Sequence, residues 1–460
     1  MASLRRRLAE AATGGARLTE PHGALALADL AANTGLGATR AALDGRAVLV
    51  RTATQIGAAQ ALVELDGLAA RIVLCPPDLA DEHLPSVVRN AGLDAVVADA
   101  PDAALVGLGL PVYQLAEPST PVNETPGAAR PTEWLLFTSG TTGAPKMVIH
   151  TLGGLTGAIQ PKAANAAPIM WGTFYDIRRY GGLQILLRAL TGGSSMILSD
   201  PHEAPADHLV RLGAHGVTHL SGTPSHWRRA LMTPQVAAIA PGYVRLSGEI
   251  ADQAVLDSLK AAFPASAIGH AYASTEAGVG FEVDDGLEGF PADYVGRPGP
   301  VEMKVEDSSL RIRSRRAASG YAGAEPPALA DANGFVDTGD MVELRGGRYH
   351  FAGRRNGVIN VGGLKVHPEE VEAVLNRHPA VRASLVRARK NPITGAVVAA
   401  EVALTDPNLA ATPEAQSALR ASILDACRAS LPPHKAPASV RFVPGLAVTA
   451  GGKIDRSQHA

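Results

Sequence analysis

Short apolar runs alternate with amphipathic segments between residues 47 and 99. Three runs, AVLVR (47–51), RIVLC (71–75) and DAVVAD (94–99), are typical of strands. The segments 55–70 and 81–93 between them carry apolar residues at helical spacing. Because parallel strands need long connections, usually helices, this alternation predicts a parallel sheet with crossover helices.

A second block with the same alternation begins at residue 194. The runs SSMILSD (194–200) and YVRLSGE (243–249) are each followed by a helical segment and then by another apolar run. The sequence therefore predicts two α/β sheet subdomains, one on each side of the segment 134–151.

The pattern changes after about residue 290. VEMKVEDSSLRIRS (301–314) and FVDTGDMVELRGGRYHFAGR (335–354) alternate apolar and polar residues around Gly-containing turns, which indicates antiparallel hairpins. This segment predicts a small β-barrel-like region.

A compact unit follows residue 354. Helical patterns over 367–379 and 414–431 enclose two strand-like segments. We therefore predict an α/β fold with a domain over 1–354, made of the two sheet subdomains and the β-barrel-like region. A small mobile α+β domain is predicted over 355–460.

Composition and charge exclude several classes of function. The 460 residues include 42 Lys and Arg against 44 Asp and Glu, so a nucleic-acid partner is not expected. The chain lacks an apolar run of about 18 residues, so no membrane span is expected. The N-terminal arginines precede no apolar signal-peptide core. Cys75 and Cys427 fit no metal or disulfide spacing, which favours a reducing cytoplasm and two buried thiols.

The segment WLLFTSGTTGAPKMVIHT (134–151) places a loop of small and hydroxyl residues between two apolar runs. Glycines let backbone N–H groups approach a phosphate, hydroxyls add donors, and Lys146 adds positive charge. Gly140 and Gly143 are too close together for a Walker A loop, and Met147 follows Lys146. The residues alone therefore leave another phosphate loop or a surface turn.

The loop resembles the phosphate-loop signature of the acyl-adenylate-forming enzymes, which include acyl-CoA synthetases and peptide-synthetase adenylation domains. Five further segments resemble that superfamily's other signatures in order, and the resemblance covers about residues 25–456. The six segments are TSGTTGAPK (138–146), YASTE (272–276), YVGRPGP (294–300), GFVDTGD (334–340), GRRNGVINVGGLKVHPEEVE (353–372) and GGKIDR (451–456).

The resemblance implies that ATP, with Mg²⁺, activates a carboxylic acid as an acyl-AMP, after which coenzyme A (CoA) accepts the acyl group. It assigns nucleotide binding to Thr138, Ser139, Gly140, Thr141, Thr142, Gly143, Tyr272, Asp340 and Arg354. The implied catalytic residues are Lys146, Thr275, Glu276 and Lys453.

The chemistry of four of these side chains suits the implied roles. Glu276 offers the hard oxygens that Mg²⁺ prefers, with a surface carboxylate as the alternative. Tyr272 offers a ring to adenine, with a core tyrosine as the alternative. Asp340 has two oxygens for ribose hydroxyls. Lys453 would bridge the reacting carboxylate and the α-phosphate, although lysines near a chain end are ordinarily solvated.

The resemblance also implies that the C-terminal domain rotates between the two half-reactions. The hinge position corresponds to Asn356, where relatives usually carry Asp or Lys, and Gly357 follows it. Both residues tolerate unusual backbone angles. After rotation, Gly362 and Gly363 would leave room for the pantetheine arm in a CoA tunnel, and a strand bulge is the alternative for this pair.

The acyl pocket is assigned by position in the family pattern. Its candidate residues are Arg178, Arg179, Tyr180, Trp227, Gly248 and Ala273, with His226 beside Trp227. The arginine pair could bind a second carboxylate, but a solvated pair or an internal ion pair with Asp176 is favoured. A small or aromatic carboxylic acid is therefore expected.

The acceptor is the least determined part of the prediction. CoA is expected because no residues follow Lys453 in which a carrier segment could lie. A separate carrier protein or another nucleophile is the alternative. A catalytically silent AMP-binding protein is a third hypothesis, against which Lys146, Glu276, Asp340 and Lys453 argue. The sequence predicts no oligomeric state.

Overall fold

The computed structural model describes residues 2–11, 14–122, 129–138, 145–160, 167–391, 394–449 and 451–456. Its α-helices are α1 Leu4–Ala11, α2 Leu27–Ala32, α3 Gln55–Leu65, α4 Leu84–Ala91, α5 Ala103–Val106, α6 Leu152–Thr156, α7 Tyr180–Thr191, α8 Pro205–Ala214, α9 Pro224–Leu231, α10 Gln253–Ala262, α11 Pro368–Leu375 and α12 Pro413–Ser430.

The strands of the first half are β1 Arg17–Glu20, β2 Gly23–Ala26, β3 Asn33–Thr34, β4 Ala47–Val50, β5 Arg71–Leu74, β6 Ala95–Ala98, β7 Val112–Gln114, β8 Thr120–Pro121, β9 Glu133–Phe137, β10 Met147–Thr151, β11 Met170–Thr173, β12 Ser195–Ile197 and β13 His219–Gly222. Those of the second half are β14 Tyr243–Ser247, β15 Ala267–Ser274, β16 Gly278–Val283, β17 Phe290–Pro291, β18 Val301–Glu306, β19 Ser309–Ser314, β20 Gly320–Tyr321, β21 Val336–Arg345, β22 Arg348–Arg354, β23 Ile359–Val361, β24 Leu364–Val366, β25 Val381–Asn391, β26 Gly395–Leu404 and β27 Ser439–Val443.

The first predicted α/β block forms a sheet with strand order β20-β10-β9-β5-β4-β6-β7. The five strands from β9 to β7 are parallel, and Val48 of β4 lies opposite Ile72 of β5 on one side and Ala95 of β6 on the other. Helix α3 connects β4 to β5 and α4 connects β5 to β6. The apolar runs and the helical segments between them are therefore where the sequence predicted them.

The second block forms a sheet with strand order β16-β15-β14-β13-β11-β12-β1-β2. Its six inner strands are parallel, and β16 and β2 pair antiparallel at the two edges. Leu62 of α3 and Leu186 of α7 are fully buried in one apolar core that also contains Val48 and Met196 from the two sheets. Burying one such side chain stabilises the fold by about 1.5–3 kcal/mol.

The predicted β-barrel-like region is an antiparallel sheet with strand order β17-β22-β21-β19-β18. Its own core includes Phe281, Phe290 and Ile312. The turn between β18 and β19 consists of Asp307 and Ser308, both with positive φ, rather than of glycines. Short polar side chains tolerate the left-handed region better than other non-glycine residues.

The C-terminal part of the chain has a separate apolar core. The hairpin β23–β24, the sheet β25-β26-β27 and helices α11 and α12 surround buried residues such as Val371, Val402 and Ile423. Cys427 lies in this core and Cys75 in another, and burial raises the pKa of Cys75 to about 12. In the described ranges, no helix is long and apolar enough to span a bilayer.

Candidate active site

Three neighbouring parallel strands end at one edge of the second sheet. Gly222 ends β13, Ser247 ends β14 and Ser274 ends β15. The residues that follow them are Thr223, Gly248 with Glu249, and Thr275 with Glu276. Ligands bind to open α/β sheets at the carboxyl ends of the strands. The strand order therefore brings segments that are distant in sequence to one candidate site.

The phosphate-loop prediction is described only at its two ends. Thr138 follows β9 and Lys146 precedes β10, and the N–H of Thr138 donates to the carbonyl of Lys146 at 3.0 Å. The Lys146 side chain is exposed. The predicted residues Ser139, Gly140, Thr141, Thr142 and Gly143 lie outside the described residues.

The segment Thr275–Glu276 is held through its backbone. His150 of β10 lies with Nε2 at 2.7 Å from the carbonyl of Thr275, and the N–H of Ala318 donates to the carbonyl of Glu276 at 2.9 Å. Burial lowers the pKa of His150, so its ring is neutral and Nε2–H donates. Across the described ranges, no side-chain hydrogen bond or ion pair engages the Glu276 carboxylate. Such a carboxylate fits Mg²⁺, which prefers oxygen ligands.

Asp340 and Arg354 face each other across the β21–β22 pair. Arg354 Nε lies 2.8 Å from Oδ1 of Asp340, and the Tyr272 hydroxyl donates to Oδ2 at 2.6 Å. Burial raises the pKa of Asp340, while Arg354 and the Tyr272 hydroxyl act in the opposite direction. Three predicted residues from three signatures therefore form one cluster. Ribose binding by Asp340 stays a prediction.

The ring of Tyr272 is stacked within an aromatic cluster. Its centroid lies 5.6 Å from that of Phe281 and 5.5 Å from that of Phe351, with interplanar angles of 15° and 11°. Burial and the neighbouring Asp340 raise the pKa of Tyr272, so the hydroxyl stays protonated and donates. These contacts support the core-tyrosine alternative, and adenine stacking on Tyr272 stays a prediction.

Lys453 lies in an ordered turn rather than in a frayed tail. Val448 and Ile454 form an antiparallel bridge, and the N–H of Thr449 donates to the carbonyl of Lys453 at 2.8 Å. We call the described residues 448–449 and 451–454 the reaction turn. Burial lowers the pKa of Lys453, whereas Glu249 and Asp340 raise it. The side chain is half-buried, and its ammonium group lies within the electrostatic range of Asp340 and Arg354.

The reaction turn is seated on the strand ends of the second sheet. The Thr223 hydroxyl donates to the carbonyl of Gly452 at 2.6 Å, and the N–H of Ile454 donates to Oε1 of Glu249 at 3.1 Å. A Cβ atom added at Gly452 would lie 1.8 Å from Cε1 of His226, and φ at Gly452 is +73°. Only glycine fits this position without rearrangement. We call Thr223, His226 and Glu249 the seat.

Gly248 lies directly beside the catalytic candidate. A Cβ atom at Gly248 would lie 3.6 Å from Cε of Lys453, and φ at Gly248 is +86°. Burial lowers the pKa of His226 to about 3, so this ring is neutral. Its Nδ1 therefore accepts the N–H of Thr223 at 3.2 Å. Gly248 and His226 were predicted for an acyl pocket, and the structure places both against the reaction turn.

The reaction turn is also tied to the C-terminal core. Arg456 forms a bidentate ion pair with Glu372 of α11, at 2.9 and 2.6 Å. Helix α11 is followed by Arg377, which pairs with Glu288 at 3.0 Å, and by Asn376, which donates to Asp252 at 3.2 Å. These contacts connect the C-terminal elements with the rest of the chain around the seat.

The predicted hinge and tunnel residues lie apart from this cluster. Asn356 and Gly357 are exposed in a three-ten turn, Arg355–Gly357, and neither has a positive φ. Gly362 and Gly363, with φ of +57° and +89°, form the two-residue turn between β23 and β24. Two positive φ values are typical of a type I′ hairpin turn. The strand-bulge alternative is therefore wrong, and the hinge and tunnel functions stay predictions.

Three of the acyl-pocket candidates have buried side chains, and their assignment to the pocket stays a prediction. Arg178 is buried and bidentate to Asp176, at 2.9 and 2.6 Å, so the internal ion pair is the alternative found. Trp227 exposes no surface and its Nε1 donates to the carbonyl of Arg245 at 3.3 Å. Tyr180 is a buried residue of the N-terminal core. All three side chains are core residues because their polar atoms and ring surfaces already have partners.

Two acyl-pocket candidates remain near the site. Arg179 pairs with Asp78, and its Cδ lies 3.9 Å from a Cβ atom added at Gly451 of the reaction turn. Ala273 is partly buried next to a register shift in the β15–β16 pair. Thr223 and Glu249 were not predicted as functional residues. The sequence did contain a signal for these two residues. Thr223 and Glu249 both follow strands that end at the same sheet edge, and Thr223-Pro224 is a typical start of a helix.

The fold combines two α/β sheets, an antiparallel sheet and a small C-terminal domain, and a lysine turn docks at the strand ends. This combination defines the class of adenylate-forming enzymes. The chain belongs to the AMP-binding enzyme family. Residues 40–321 match the model of the AMP-binding enzymes, and residues 370–453 match that of the AMP-binding enzyme C-terminal domain.

Named relatives are similar at low identity. The chain is 28% identical over 372 residues to the mitochondrial acyl-coenzyme A synthetase ACSM5 of Homo sapiens, covering 75% of this chain and 63% of that protein. It is 27% identical to the isonitrile lipopeptide synthase of Streptomyces coeruleorubidus, covering 90% of this chain and 30% of that protein. The chain thus spans less than two thirds of either relative.

A solved structure shares the fold over nearly the whole chain. A benzoate CoA ligase from Burkholderia xenovorans LB400 superposes with a TM-score of 0.79 at 21% identity. The superposition covers 99% of this chain and 99% of that one. This likeness supports the large N-terminal and small C-terminal domain layout.

Proposed function

We propose that this protein activates a carboxylic acid with ATP and then transfers the acyl group to CoA. The observation that carries the proposal is the seating of Lys453. Its ammonium group is enclosed beside Gly248 and within the electrostatic reach of Asp340 and Arg354. A half-buried lysine at the carboxyl ends of parallel strands suits the stabilisation of negative charge that develops during reaction.

The proposed first step makes a poor electrophile reactive. A carboxylate oxygen of the acid attacks the α-phosphorus of ATP, the bond to the pyrophosphate oxygen breaks, and an acyl-AMP forms. Lys453 bridges the carboxylate and the α-phosphate and lowers the barrier because it meets both charges in the transition state. In the second step a thiolate sulfur attacks the acyl carbon and AMP leaves with the bonding electrons.

The remaining site residues take the parts that the family pattern implies. The loop 138–146, with Lys146, holds the β- and γ-phosphates, and the Thr275 hydroxyl binds the α-phosphate. Glu276 is the proposed ligand of the Mg²⁺ that accompanies ATP. Asp340 and Arg354 bind the ribose, which fits the ion pair that fixes their orientation. Tyr272 positions Asp340 through its hydroxyl and borders the adenine.

The second half-reaction requires a different face of the C-terminal domain. We place the domain boundary between residues 354 and 355 and the hinge at Asn356. Rotation about this hinge would withdraw the reaction turn and present the Gly362–Gly363 turn, whose lack of side chains leaves space for a pantetheine arm. The exposure of both glycines in the described conformation is compatible with this exchange.

The proposed acid is small or aromatic. Arg178 is engaged by Asp176, so it offers no charge to a second carboxylate. The fold likeness to a benzoate CoA ligase is compatible with an aromatic acid.

A carrier protein or another nucleophile is the second candidate acceptor. The observation in its favour is the match to a lipopeptide synthase, which covers 90% of this chain against 75% for the acyl-coenzyme A synthetase ACSM5. This alternative keeps the first step and changes only the thiol or amine that attacks the acyl-AMP.

One pair of assays tests the proposal and its alternative. Carboxylate-dependent exchange of pyrophosphate into ATP, measured across aliphatic, dicarboxylic and aromatic acids, reports the first step. Formation of an acyl-CoA from the best acid reports the second. Exchange without acyl-CoA would favour the other acceptors, and no exchange with any acid would contradict the proposed function.

A further inference from the structure

Glu249 connects the sheet edge with the reaction turn through a single carboxylate. It follows Gly248 after β14. Its Oε2 accepts the N–H of Ser225, in the first turn of α9, at 3.0 Å. Its Oε1 accepts the N–H of Ile454, the residue after Lys453, at 3.1 Å. The position of the lysine backbone is therefore fixed relative to α9 and β14.

Charged groups of both signs act on the Lys453 ammonium group. Glu249 and Asp340 raise the pKa of Lys453 and so stabilise its protonated form. Arg354 and Arg179 lower this pKa. Among these charges, Glu249 acts most strongly. Asp340 is already bonded to Arg354 and Tyr272, so part of its charge is balanced locally. The protonation of Lys453 therefore depends on Glu249 more than on Asp340.

We propose that Glu249 is a positioning residue for the adenylation step: it fixes the backbone beside Lys453 and carries a negative charge that favours the protonated lysine. This inference rests on the proposed function, in which Lys453 must be both placed and protonated. On this proposal the seat not only anchors the reaction turn but also, through Glu249, influences the protonation of Lys453.

The sign of the expected pH effect follows from the charges. Burial lowers the pKa of Lys453, and Glu249 raises it. Removing the Glu249 charge lowers this pKa further, so the ammonium group loses its proton at a lower pH. The alkaline limit of the adenylation rate should therefore move to lower pH.

Two substitutions separate the charge from the hydrogen bond. Glu249→Gln removes the charge but keeps the length, and Glu249→Asp keeps the charge but shortens the reach to Ile454. Glu288→Gln is the matched control, because Glu288 pairs with Arg377 across the same C-terminal contact without touching the reaction turn. Each protein is checked for cooperative thermal unfolding before use.

Two measurements are made on each full-length protein from pH 6 to pH 10. This span lies below the ordinary lysine pKa of about 10.4 because burial lowers the pKa of Lys453. The first is acid-dependent ATP–pyrophosphate exchange. The second is competitive labelling of Lys453 with trace acetic anhydride, read by peptide mass spectrometry. The labelling reports the protonation of the amine without needing turnover.

The expected result distinguishes the three variants. Glu249→Gln should lower exchange about tenfold and shift both the alkaline limit and the labelling midpoint of Lys453 to lower pH. Glu249→Asp should lower exchange without the shift, and Glu288→Gln should show neither effect. If Glu249→Gln leaves the labelling midpoint unchanged, the inference is overturned, whatever the activity. Wild-type protein without exchange would instead overturn the proposed function, while the labelling would still decide the role of Glu249.

Discussion

Two glycine turns of the C-terminal part of the chain have opposite surroundings. Gly452 of the reaction turn lies against the His226 ring, where an added Cβ atom would overlap at 1.8 Å. Gly362 of the β23–β24 hairpin is exposed, and an added Cβ atom would lie 3.8 Å from Thr394, an ordinary contact within the same part of the fold. Both have positive φ, but only the first is enclosed.

The difference is what the proposed division into two half-reactions would require. The glycine that precedes Lys453 is needed for the approach of the turn to its seat, so its environment is fixed by contact with the N-terminal elements. The hairpin glycines are needed only for their own turn. In the described conformation the proposed adenylation face lies at the strand ends. The proposed tunnel residues, Gly362 and Gly363, would reach the site only after the proposed rotation of the C-terminal domain.

The largest contrast is expected between Gly452→Ala and Gly362→Ala. A Cβ atom at 452 collides with His226 and displaces Lys453, and a misplacement of about 1 Å can cost about 100-fold in rate. Gly362→Ala should cost about 1–2 kcal/mol of stability from the positive φ and leave adenylation unchanged. ATP–pyrophosphate exchange and thermal unfolding measure the two effects. Equal losses of exchange in both variants would remove the distinction between the turns.

A smaller contrast is expected between two hydrogen-bonding side chains. Thr223→Val removes the hydroxyl that donates to Gly452 and that caps α9, so exchange should fall about tenfold and stability by about 1 kcal/mol. Asn360→Ala removes the acceptor of the Gly363 N–H and should cost about 1 kcal/mol without changing exchange. Exchange rates measured alongside urea unfolding curves check both. A loss of exchange in Asn360→Ala would show that the hairpin also serves adenylation.

The smallest effect is expected for the ion pair at the rim of the contact. Arg377 is about half exposed and pairs with Glu288 at 3.0 Å. Exposed pairs contribute about 0–1 kcal/mol, so Arg377→Ala should change exchange by less than about fivefold. A much larger loss of exchange activity, with normal thermal unfolding, would mean that the Arg377–Glu288 pair rather than the seat holds the C-terminal elements in place.

The sequence predicted those helices and strands that are determined by the local spacing of apolar residues. Strands β4, β5 and β6 and helices α3 and α4 follow directly from the spacing of apolar residues in 47–99. The strands β1 and β2 were not predicted, because β1 joins the second sheet only through pairing with β12, such as Leu18 with Met196, far along the chain. Pairing over such distances leaves no local period to detect.

The predicted residues that now cluster at the candidate site are those selected from sequence signatures, and their functions stay predictions. Lys453, Asp340 and Arg354 were selected by motif, and the structure brings them within mutual electrostatic range. Arg178 and Trp227 were placed by analogy of position and lie in the core. Glu249 and Thr223 were missed as functional residues because their importance depends on the reaction turn, which meets them only in the folded chain.

The most direct test of the division between the two turns is to measure both half-reactions of Lys453→Ala. Acid-dependent ATP–pyrophosphate exchange should fall about 10²–10³-fold, because the substitution removes the charge proposed to stabilise the transition state. Conversion of a supplied acyl-AMP to the acyl-CoA should stay close to the wild-type rate, since the proposed rotation would withdraw the reaction turn from the site. An equal fall of both rates would contradict the assignment of Lys453 to the first step alone.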